Sequence, residues 1–266
     1  RLIDPKSNRD EILDVLIEEN KIAKIGTNLS EENTEIIDAR GLVIAPGLID
    51  VHVHFREPGQ THKETIHSGA KSAAAGGFTT VVMMANTKPI LSTPKVLIET
   101  LAIAKKEAIK IKAVASITQD FDGENLTDFA ELIKAGAIGF SDDGIPLTDA
   151  GVLRKALQKA KLTDSLLSIH EEDPNLIGTL GVNDGEVAHK CGFTGAPTVS
   201  EYSMMARDAM IAYETGARLH LQHLSAGESV EVVRFAKNLG AKITAEVTPQ
   251  HFSITEQMIF EQGTNA

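Results

Sequence analysis

From Ala45 onward the sequence repeats one pattern, in which an apolar segment of strand length is followed by a helix-like segment ending at a glycine. This alternation is typical of βα units, whose parallel strands share one sheet covered by helices. Gly216 and Gly240 stand where such helices should end, and Ser92-Thr93-Pro94 supplies an N-cap and a first-turn proline for another helix. The repeat therefore restricts this part of the chain to an α/β fold with a parallel sheet.

Seven segments fit the buried strands of this repeat, and most are spaced by about 25 to 35 residues, as one strand, one helix and two short loops require. The predicted strands are Leu48–His54, Phe78–Met84, Lys112–Ile117, Ala137–Ser141, Leu166–His170, Arg218–His223 and Ile243–Val247. A (β/α)8 barrel needs an eighth strand, and the chain ends at Ala266 before one is seen. We predict a TIM-like (β/α)8 barrel with seven strands visible and its C-terminal part missing.

The first forty-odd residues have a different pattern. Leu13, Val15 and Ile17 alternate with polar residues, and turn-forming residues such as those at 4–8 separate the apolar segments. The sequence therefore predicts two domains. Residues 1–45 form the N-terminal part of a small β-sandwich, and residues 46–266 form the barrel, truncated before strand 8. Because Arg1 falls within a predicted strand, we expect the true start of the protein to be missing as well.

Composition limits the ligand and the location. The 266 residues are 42% hydrophobic, enough for a large core, and their net charge of −11 comes from dispersed acidic residues. Nucleic-acid binders instead concentrate lysine and arginine on one face, so we expect a small-molecule substrate and no nucleic acid. With Cys191 as the single cysteine no internal disulfide can form, and no apolar run or leader indicates a membrane. These features predict a cytoplasmic protein.

Four histidines fall at the carboxyl ends of three predicted strands. His52 and His54 lie two residues apart on one strand and point to the same face, so both can reach one metal ion. Taken alone, this pair is equally compatible with two solvated histidines at a strand end. His170 and His223 end two further strands, and all strand carboxyl ends of a parallel barrel open on one rim. Asp142-Asp143-Gly144 follows the fourth strand and adds a carboxylate that could bridge two divalent ions.

These residues lie within longer segments that resemble dihydroorotases and their cyclic-amidohydrolase relatives. The matching segments are Gly47–Gly59, Gly76–Thr80 leading to Asn86-Thr87, Phe140–Gly144, Ile169–Glu172, His223–Ser225 and Glu246–His251. The resemblance runs through nearly the whole chain, because these segments follow one another in the family's order and at the family's strand ends. Hydantoinases, dihydropyrimidinases and allantoinases usually carry a carboxylated lysine after the fourth strand. The aspartates found here instead resemble the bacterial class I dihydroorotases.

The resemblance also implies a cofactor and its ligands. It implies one or two Zn²⁺ ions, with His52 and His54 on one ion, His170 and His223 on the other, and Asp143 contacting both. Should only one zinc be present, His52, His54 and Asp143 are the expected ligands.

Substrate contacts are implied for His54, Arg56 and Asn86. Arg56 matches the arginine that pairs with the substrate carboxylate, and a planar guanidinium can bind a carboxylate bidentately. Asn86 matches the asparagine that helps to bind the same group. Without the resemblance, a surface ion pair of Arg56 with Glu57 or Asp50 is the simpler interpretation.

The implied reaction is the reversible hydrolysis of the cyclic amide of dihydroorotate to carbamoyl aspartate in pyrimidine biosynthesis. The aspartate that moves the proton in the family is expected beyond Ala266, so no catalytic base is visible. Two alternatives stay open: another cyclic amidase, such as a hydantoinase or allantoinase, and a non-catalytic homologue that scaffolds aspartate transcarbamoylase. A homodimer and an association with aspartate transcarbamoylase are both compatible with the resemblance.

The sequence also predicts where two further histidines and one acidic segment lie. His251 follows the seventh strand and is expected to support the ligands from behind rather than to bind metal. His220 has the opposite parity from His223, so strand alternation predicts that it faces the helices. Glu171-Glu172-Asp173 is predicted to be a polar loop.

Overall fold

The computed structural model describes residues 1–177 and 181–263. Its N-terminal part contains two antiparallel hairpins. These pair β1 (Leu2–Asp4) with β2 (Arg9–Glu11) and β3 (Asp14–Glu18) with β4 (Lys21–Gly26). An isolated bridge between Leu2 and Ile44 ties the first hairpin to the end of this region. The β-rich character predicted for the N-terminus is therefore present as two separate two-stranded sheets.

The rest of the chain alternates parallel strands with helices. The strands are β5 (Leu48–Val53), β6 (Phe78–Met83), β7 (Lys110–Ala113), β8 (Leu166–Ile169), β9 (Arg218–Leu221) and β10 (Ile243–Ala245). They pair in the orders β5-β6-β7 and β8-β9-β10, and every pairing is parallel. The α/β class and six of the seven predicted strand positions are thus found in the structure.

The fourth predicted strand, Ala137–Ser141, is reduced to isolated bridges of Phe140 with Ala115 on one side and Leu167 on the other. Backbone hydrogen bonds still join this segment to both neighbouring strands, from Ile138 N–H to Ala113 and from Phe140 N–H to Leu166. Glycines at 136 and 139 weaken a regular strand here, because glycine offers no side chain to pack. The segment nevertheless connects the two three-stranded groups.

Nine helices are found in the described residues: α1 (Ile66–Ala75), α2 (Pro94–Ala104), α3 (Phe129–Lys134), α4 (Ala150–Leu162), α5 (Glu186–Cys191), α6 (Val199–Thr215), α7 (Gly227–Leu239), α8 (Pro249–Ser253) and α9 (Met258–Gln262). The predicted start of α2 is confirmed, since the Thr93 side chain accepts from the Val96 N–H and Pro94 occupies the first turn. Gly216 and Gly240 end α6 and α7 with φ of 67° and 98°, a left-handed conformation that glycine adopts without steric cost.

The core lies between the parallel strands and their helices. Met83, Leu167, Leu219 and Leu221 are fully or almost fully buried there. Leu48, Ile49 and Val51 on the edge strand β5 are by contrast 54%, 64% and 48% exposed. Within the described residues β5 and β10 each have one strand neighbour, so the sheet is open between them. No helix in residues 1–177 and 181–263 combines the length and apolar character needed to cross a membrane.

Candidate metal centre

The carboxyl ends of the parallel strands carry the predicted ligands. His52 lies in β5 and His54 just beyond it, His170 follows β8 and Asp143 follows the Phe140 bridge. His223 lies two residues past the end of β9 with φ of 29°, a conformation that removes it from the strand's alternation. The fold thus brings five side chains from four βα units to one rim, as the strand-end argument predicts.

His52, His54 and Asp143 form the first group. The His52 Nε2 atom lies 3.2 Å from His54 Nε2 and 3.4 Å from Asp143 Oδ1. The His54 Nε2 atom lies 3.3 Å from Asp143 Oδ2. All three ligand atoms therefore face one small space.

Asp143, His170 and His223 form the second group. His170 Nδ1 lies 3.1 Å from His223 Nε2, and His223 Nε2 lies 3.7 Å from Asp143 Oδ1. Within each group the ligand atoms all lie within 4.8 Å of one another. Asp143 is common to both groups, the position that the sequence analysis assigns to a bridging carboxylate.

The donor chemistry and spacing fit divalent metal ions. Imidazole nitrogen and carboxylate oxygen are preferred zinc ligands, and two such atoms at tetrahedral zinc lie about 3.3 to 3.5 Å apart. The separations in the first group, from 3.2 to 3.4 Å, match this edge length. The second group is slightly wider, and its two histidines with the shared carboxylate leave room for other ligands. The residues present therefore suit one or two metal ions.

The electrostatics of the cluster are dominated by its carboxylates. Burial alone would lower the pKa of His52, but hydrogen bonds and charges from Asp143 and Glu246 raise it to about 9. Burial opposes ionisation of Asp143, yet its contacts with His223 and His52 hold its pKa below the ordinary value. Without metal, Asp143 is thus an anion that attracts positive charge into the site.

Two of the histidines stay neutral more easily. Burial lowers the pKa of His54, and burial together with the neighbouring His223 lowers the pKa of His170. A neutral imidazole is the form that binds metal, because the ligating nitrogen must offer its lone pair. These two side chains therefore need little or no deprotonation to act as ligands.

Asn86 contacts the cluster directly. Its Oδ1 lies 3.1 Å from His54 Nδ1, and its Nδ2 lies 3.3 Å from Asp143 Oδ2. An Nδ1–H of His54 donated to Asn86 leaves the Nε2 lone pair facing the other ligands. The structure thus gives Asn86 contacts with two expected ligands in addition to the substrate contact predicted for it.

The two adjacent aspartates have different surroundings. Asp142 is buried and accepts hydrogen bonds from the Ile117 and Thr118 N–H groups and from the Thr118 hydroxyl. Burial raises its pKa to about 6 against these donors. Asp142 therefore ties its loop to the segment that follows β7, while Asp143 faces the histidines.

Arg56 lacks the partners that the simpler interpretation required. Asp50 accepts from the His52 N–H, and Glu57 accepts from the Ile66 N–H. Across residues 1–177 and 181–263, no ion pair or hydrogen bond of the Arg56 side chain is formed. The guanidinium is thus left available to an external anion.

The prediction for His220 is wrong. Its ring lies 3.1 Å from Glu246 Oε2 and 2.8 Å from the Thr244 hydroxyl, on the face of the sheet that points toward the cluster. The prediction extended strand alternation from His223, but β9 ends at Leu221 and His223 turns away with positive φ. The face on which His220 lies therefore cannot be inferred from its spacing to His223.

Two other sequence-based interpretations are also revised or extended. His251 lies in α8 and lines an open cavity of about 940 Å³ beside His170 and His223. It belongs to neither ligand group of the described residues, and its Nδ1 lies 3.1 Å from the Thr248 hydroxyl. Residues 171–173 form a loop, as predicted, but the Glu171 side chain is only 3% exposed, and this burial was not predicted.

Glu246 was not singled out by the sequence analysis although it contacts a ligand. Its Oε1 lies 2.5 Å from His52 Nδ1. Burial opposes its ionisation, but the neighbouring His220 and His52 lower its pKa to about 2. The sequence signal that could have found it was its place near the carboxyl end of the predicted strand Ile243–Val247, the end at which the other ligands lie.

The buried Glu171 predicts a specific pH dependence of stability. Burial and the adjacent Asp208 carboxylate raise the pKa of Glu171 well above its ordinary value. A raised folded-state pKa contributes stability below the unfolded pKa that is lost as the pH rises through the folded value. Metal-free protein is therefore expected to lose unfolding free energy above about pH 4.5, by up to about 1.4 kcal/mol per pH unit.

Glu171→Gln should make this slope shallower, because glutamine does not ionise and the Glu171 contribution is lost, while that of Asp142 is kept. The measurement is urea unfolding of chelator-treated protein between pH 5 and 8. Glu131→Gln in α3, an exposed position, is the control and should keep the wild-type slope. An unchanged slope in Glu171→Gln would contradict the prediction.

The whole chain is similar in sequence to known proteins. Residues 41–229 match the family model described as dihydro-orotase-like. The chain is 91% identical over 266 residues to a dihydroorotase of Lactococcus lactis subsp. lactis (strain IL1403), and 58% identical over 269 aligned positions to a dihydroorotase of Streptococcus thermophilus (strain CNRZ 1066). Both alignments include the whole chain but only 63% of the length of these relatives.

Solved structures show the same fold. An L-hydantoinase (dihydropyrimidinase) from Arthrobacter aurescens superposes with a TM-score of 0.84 at 22% identity, over 99% of this chain and 60% of that one. A D-hydantoinase superposes with a TM-score of 0.74 at 26% identity, over 94% and 56% of the two chains. These neighbours have the amidohydrolase barrel fold. The match of the family model over residues 41–229, which include all five clustered side chains, shows that the chain belongs to the dihydroorotase-like family.

Proposed function

We propose that this chain is the metal-binding part of a dihydroorotase, which reversibly hydrolyses the cyclic amide of (S)-dihydroorotate to N-carbamoyl-L-aspartate in pyrimidine biosynthesis. The observation that carries the proposal is the pair of ligand groups joined by Asp143. An aspartate at this position, rather than a lysine, is the feature by which the sequence resembles the class I dihydroorotases. The 91% identity to a dihydroorotase of L. lactis supports the same assignment.

The proposed cofactor is zinc, as one or two ions held by His52, His54, Asp143, His170 and His223. When bound, zinc would act as a Lewis acid that lowers the pKa of water toward neutrality and polarises a carbonyl oxygen. Asn86 keeps the His54 ring oriented, and Asp143 supplies the negative charge that a cation site requires. The residue that carries a proton to the leaving nitrogen is expected beyond Ala266.

Arg56 is the proposed anchor for the substrate carboxylate, with Asn86 and His54 beside it. The guanidinium has no carboxylate partner within the described ranges, and a planar guanidinium can bind a carboxylate through two parallel hydrogen bonds. Anchoring the carboxylate would hold the ring amide in a fixed position relative to the cluster. Fixing the orientation of reacting groups before the reaction lowers the activation barrier.

The chain's relation to the whole protein is also a proposal. We infer that residues 1–45 belong to a β-sandwich and residues 46–266 to the barrel, and that segments outside this chain complete both. The open sheet between β5 and β10 supports an eighth strand at that position. A cytoplasmic location, a homodimer and an association with aspartate transcarbamoylase stay predictions of the resemblance.

The direct test is turnover by the full-length protein loaded with zinc, with dihydroorotate, hydantoin and allantoin offered separately. We expect dihydroorotate to be the preferred substrate. Preference for hydantoin or allantoin would instead support a second candidate, another cyclic amidase. A zinc-loaded protein that turns over none of the three would contradict the proposal and support the non-catalytic alternative.

Arg56→Ala tests the substrate anchor. Loss of a charged hydrogen-bonded pair costs about 2 kcal/mol or more, so kcat/KM for dihydroorotate should fall by roughly 30-fold or more. The zinc content should stay unchanged. Arg154→Ala, which breaks an exposed pair with Glu214, is the matched control and should keep wild-type kinetics. An Arg56→Ala enzyme with wild-type kcat/KM would show that the carboxylate is held elsewhere.

A further inference from the structure

Glu246 connects two histidines that come from different strands. One carboxylate oxygen, Oε1, lies 2.5 Å from His52 Nδ1, and the other, Oε2, lies 3.1 Å from His220 Nε2. The side chain is 16% exposed, so both contacts are largely shielded from water. Glu246 therefore uses both of its oxygens on imidazole rings.

The backbone of Glu246 is also fixed. Its N–H donates to the Leu221 carbonyl at 3.1 Å, and its carbonyl accepts from the Leu224 N–H at 2.9 Å. These two bonds extend the β9–β10 pairing past the end of β10 and bracket the loop that carries His223. The carboxylate is consequently presented from a rigid position.

His220 is held from its other side. Its Nδ1 lies 2.8 Å from the Thr244 hydroxyl, and the residue is paired across the sheet with Ser168 in β8 and Thr244 in β10. A hydroxyl that donates to Nδ1 leaves the proton of neutral His220 on Nε2. This atom lies 3.1 Å from Glu246 Oε2, a close polar contact that lacks the alignment of a hydrogen bond. The chain of contacts thus runs from Thr244 through His220 and Glu246 to His52.

The far end of this chain sets the state of His52. A carboxylate accepts hydrogen bonds, so the Nδ1 atom of His52 must carry the proton and donate it to Glu246. The Nε2 atom of a neutral His52 then bears the lone pair, and Nε2 is the atom that lies among His54 and Asp143. Carboxylates behind ligating histidines fix the tautomer and ring orientation in this way in metal sites generally.

We propose that Glu246 is a positioning residue that holds His52 in its metal-binding tautomer and orientation, and that His220 acts only by orienting Glu246. The inference rests on the proposed function to the extent that the cluster binds a divalent metal. Because β5 and β10 are not paired in the described part of the sheet, this contact also joins the two edges of the open sheet at the cluster.

The test compares zinc affinities of full-length variants by competition with a chromogenic chelator. Losing a partner behind a ligating histidine typically weakens metal affinity by about 10- to 100-fold, and we expect Glu246→Ala to fall in this range. Glu246→Gln should have an intermediate effect, because its amide oxygen can still accept from Nδ1–H but carries no charge. In zinc-loaded protein with ¹⁵N-labelled histidine, the His52 Nδ1 proton resonance should be lost in Glu246→Ala and retained in Glu246→Gln.

The role of His220 is tested by a double-mutant cycle. His220→Leu should weaken zinc binding less than Glu246→Ala does. Adding His220→Leu to Glu246→Ala should cause no further loss, because His220 has no route to His52 once the carboxylate is gone. Additive losses would mean that His220 contributes only to general stability and would overturn its assigned role.

Glu107→Gln is the matched control. Glu107 is also a mostly buried carboxylate paired with a histidine, with its Oε2 3.0 Å from Nδ1 of His67 in α1, and neither residue belongs to a ligand group of the described residues. Its zinc affinity should stay within about twofold of wild type, well below the loss expected behind a ligand. Wild-type affinity and an unchanged Nδ1 resonance in Glu246→Ala would overturn the proposal. If Glu246→Ala does not fold, wild-type affinity in both Glu246→Gln and His220→Leu would overturn it equally.

Activity assays separate this proposal from the proposed function. Weaker zinc binding in Glu246→Ala, together with no dihydroorotate turnover by any protein, would support the positioning role and reject the dihydroorotase assignment. Dihydroorotate turnover with unchanged zinc affinity in the Glu246 variants would support the dihydroorotase assignment and reject the positioning role. Failure of the wild type to bind zinc would overturn both.

Discussion

Asp143→Asn is expected to lower the zinc content of the full-length protein to well below one ion per chain and to lower kcat/KM for dihydroorotate by about a thousandfold or more. The carboxylate belongs to both ligand groups and lies 3.3 to 3.7 Å from three histidines. An asparagine keeps the shape but removes the anionic charge. Because metal-ion catalysis contributes several kcal/mol and each 1.36 kcal/mol is a factor of ten in rate, a loss of this size follows.

Asp142→Asn is the informative comparison, since the two residues are adjacent and both are buried. The Asp142 carboxylate accepts from backbone and hydroxyl groups of residues 117 and 118 rather than from the histidines. We expect its substitution to lower the unfolding temperature while zinc content at saturation stays normal. Metal analysis after dialysis and differential scanning calorimetry separate the two effects. Zinc loss in Asp142→Asn but not in Asp143→Asn would contradict the assignment of the ligand.

Gly59→Ala is expected to destabilise the protein by about 3 kcal/mol or more, at the upper end of single-substitution effects. Gly59 has φ of 87°, and a Cβ placed on it would lie 1.7 Å from the Lys88 carbonyl oxygen. That oxygen is backbone, so a rotamer change cannot relieve the contact. The Lys88 N–H also donates to the Pro58 carbonyl, and the two loops must therefore move together.

The displacement should reach the substrate side of the site, because Arg56 and Asn86 lie on these two loops. We expect KM for dihydroorotate to rise in Gly59→Ala protein that is still folded. Gly77→Ala is the matched control, with φ of 83° and no atom within 4 Å of the added Cβ. It should lose only about 1 to 2 kcal/mol, the cost of a left-handed alanine. Urea unfolding and steady-state kinetics check both variants, and equal losses at the two positions would contradict the clash argument.

The ligand set was predictable because strand periodicity and chain direction act locally. An apolar strand followed by a helix forces a parallel sheet, and parallel strands bring their carboxyl ends to one rim. His52, His54, His170 and His223 could therefore be grouped although up to 171 positions separate them in the sequence. Only the resemblance, however, distinguished Asp143 from Asp142, since alternation does not extend into a loop.

The prediction failed where a residue's surroundings depend on distant parts of the chain. His220 was predicted on the wrong face because His223 leaves the strand with positive φ. No local sequence pattern indicates this backbone conformation. Glu171 lies in the predicted loop, but its burial was missed because nothing in the neighbouring sequence indicates that Asp208 of α6 packs beside it. Burial of this kind is a property of packing between elements, not of the segment itself.

By itself, the sequence determined the α/β repeat, the strand ends and the residue types that can bind a divalent ion, because hydrophobic periodicity and side-chain chemistry are carried by each segment. The tertiary structure alone decided which nitrogen of each histidine faces its neighbours and which groups stand behind them. The contact of Glu246 with His52 spans 194 residues and crosses the unpaired edge between β10 and β5. Hydrogen-bond geometry of this kind is set at distances of about 3 Å, and only the packing of whole βα units positions side chains that closely.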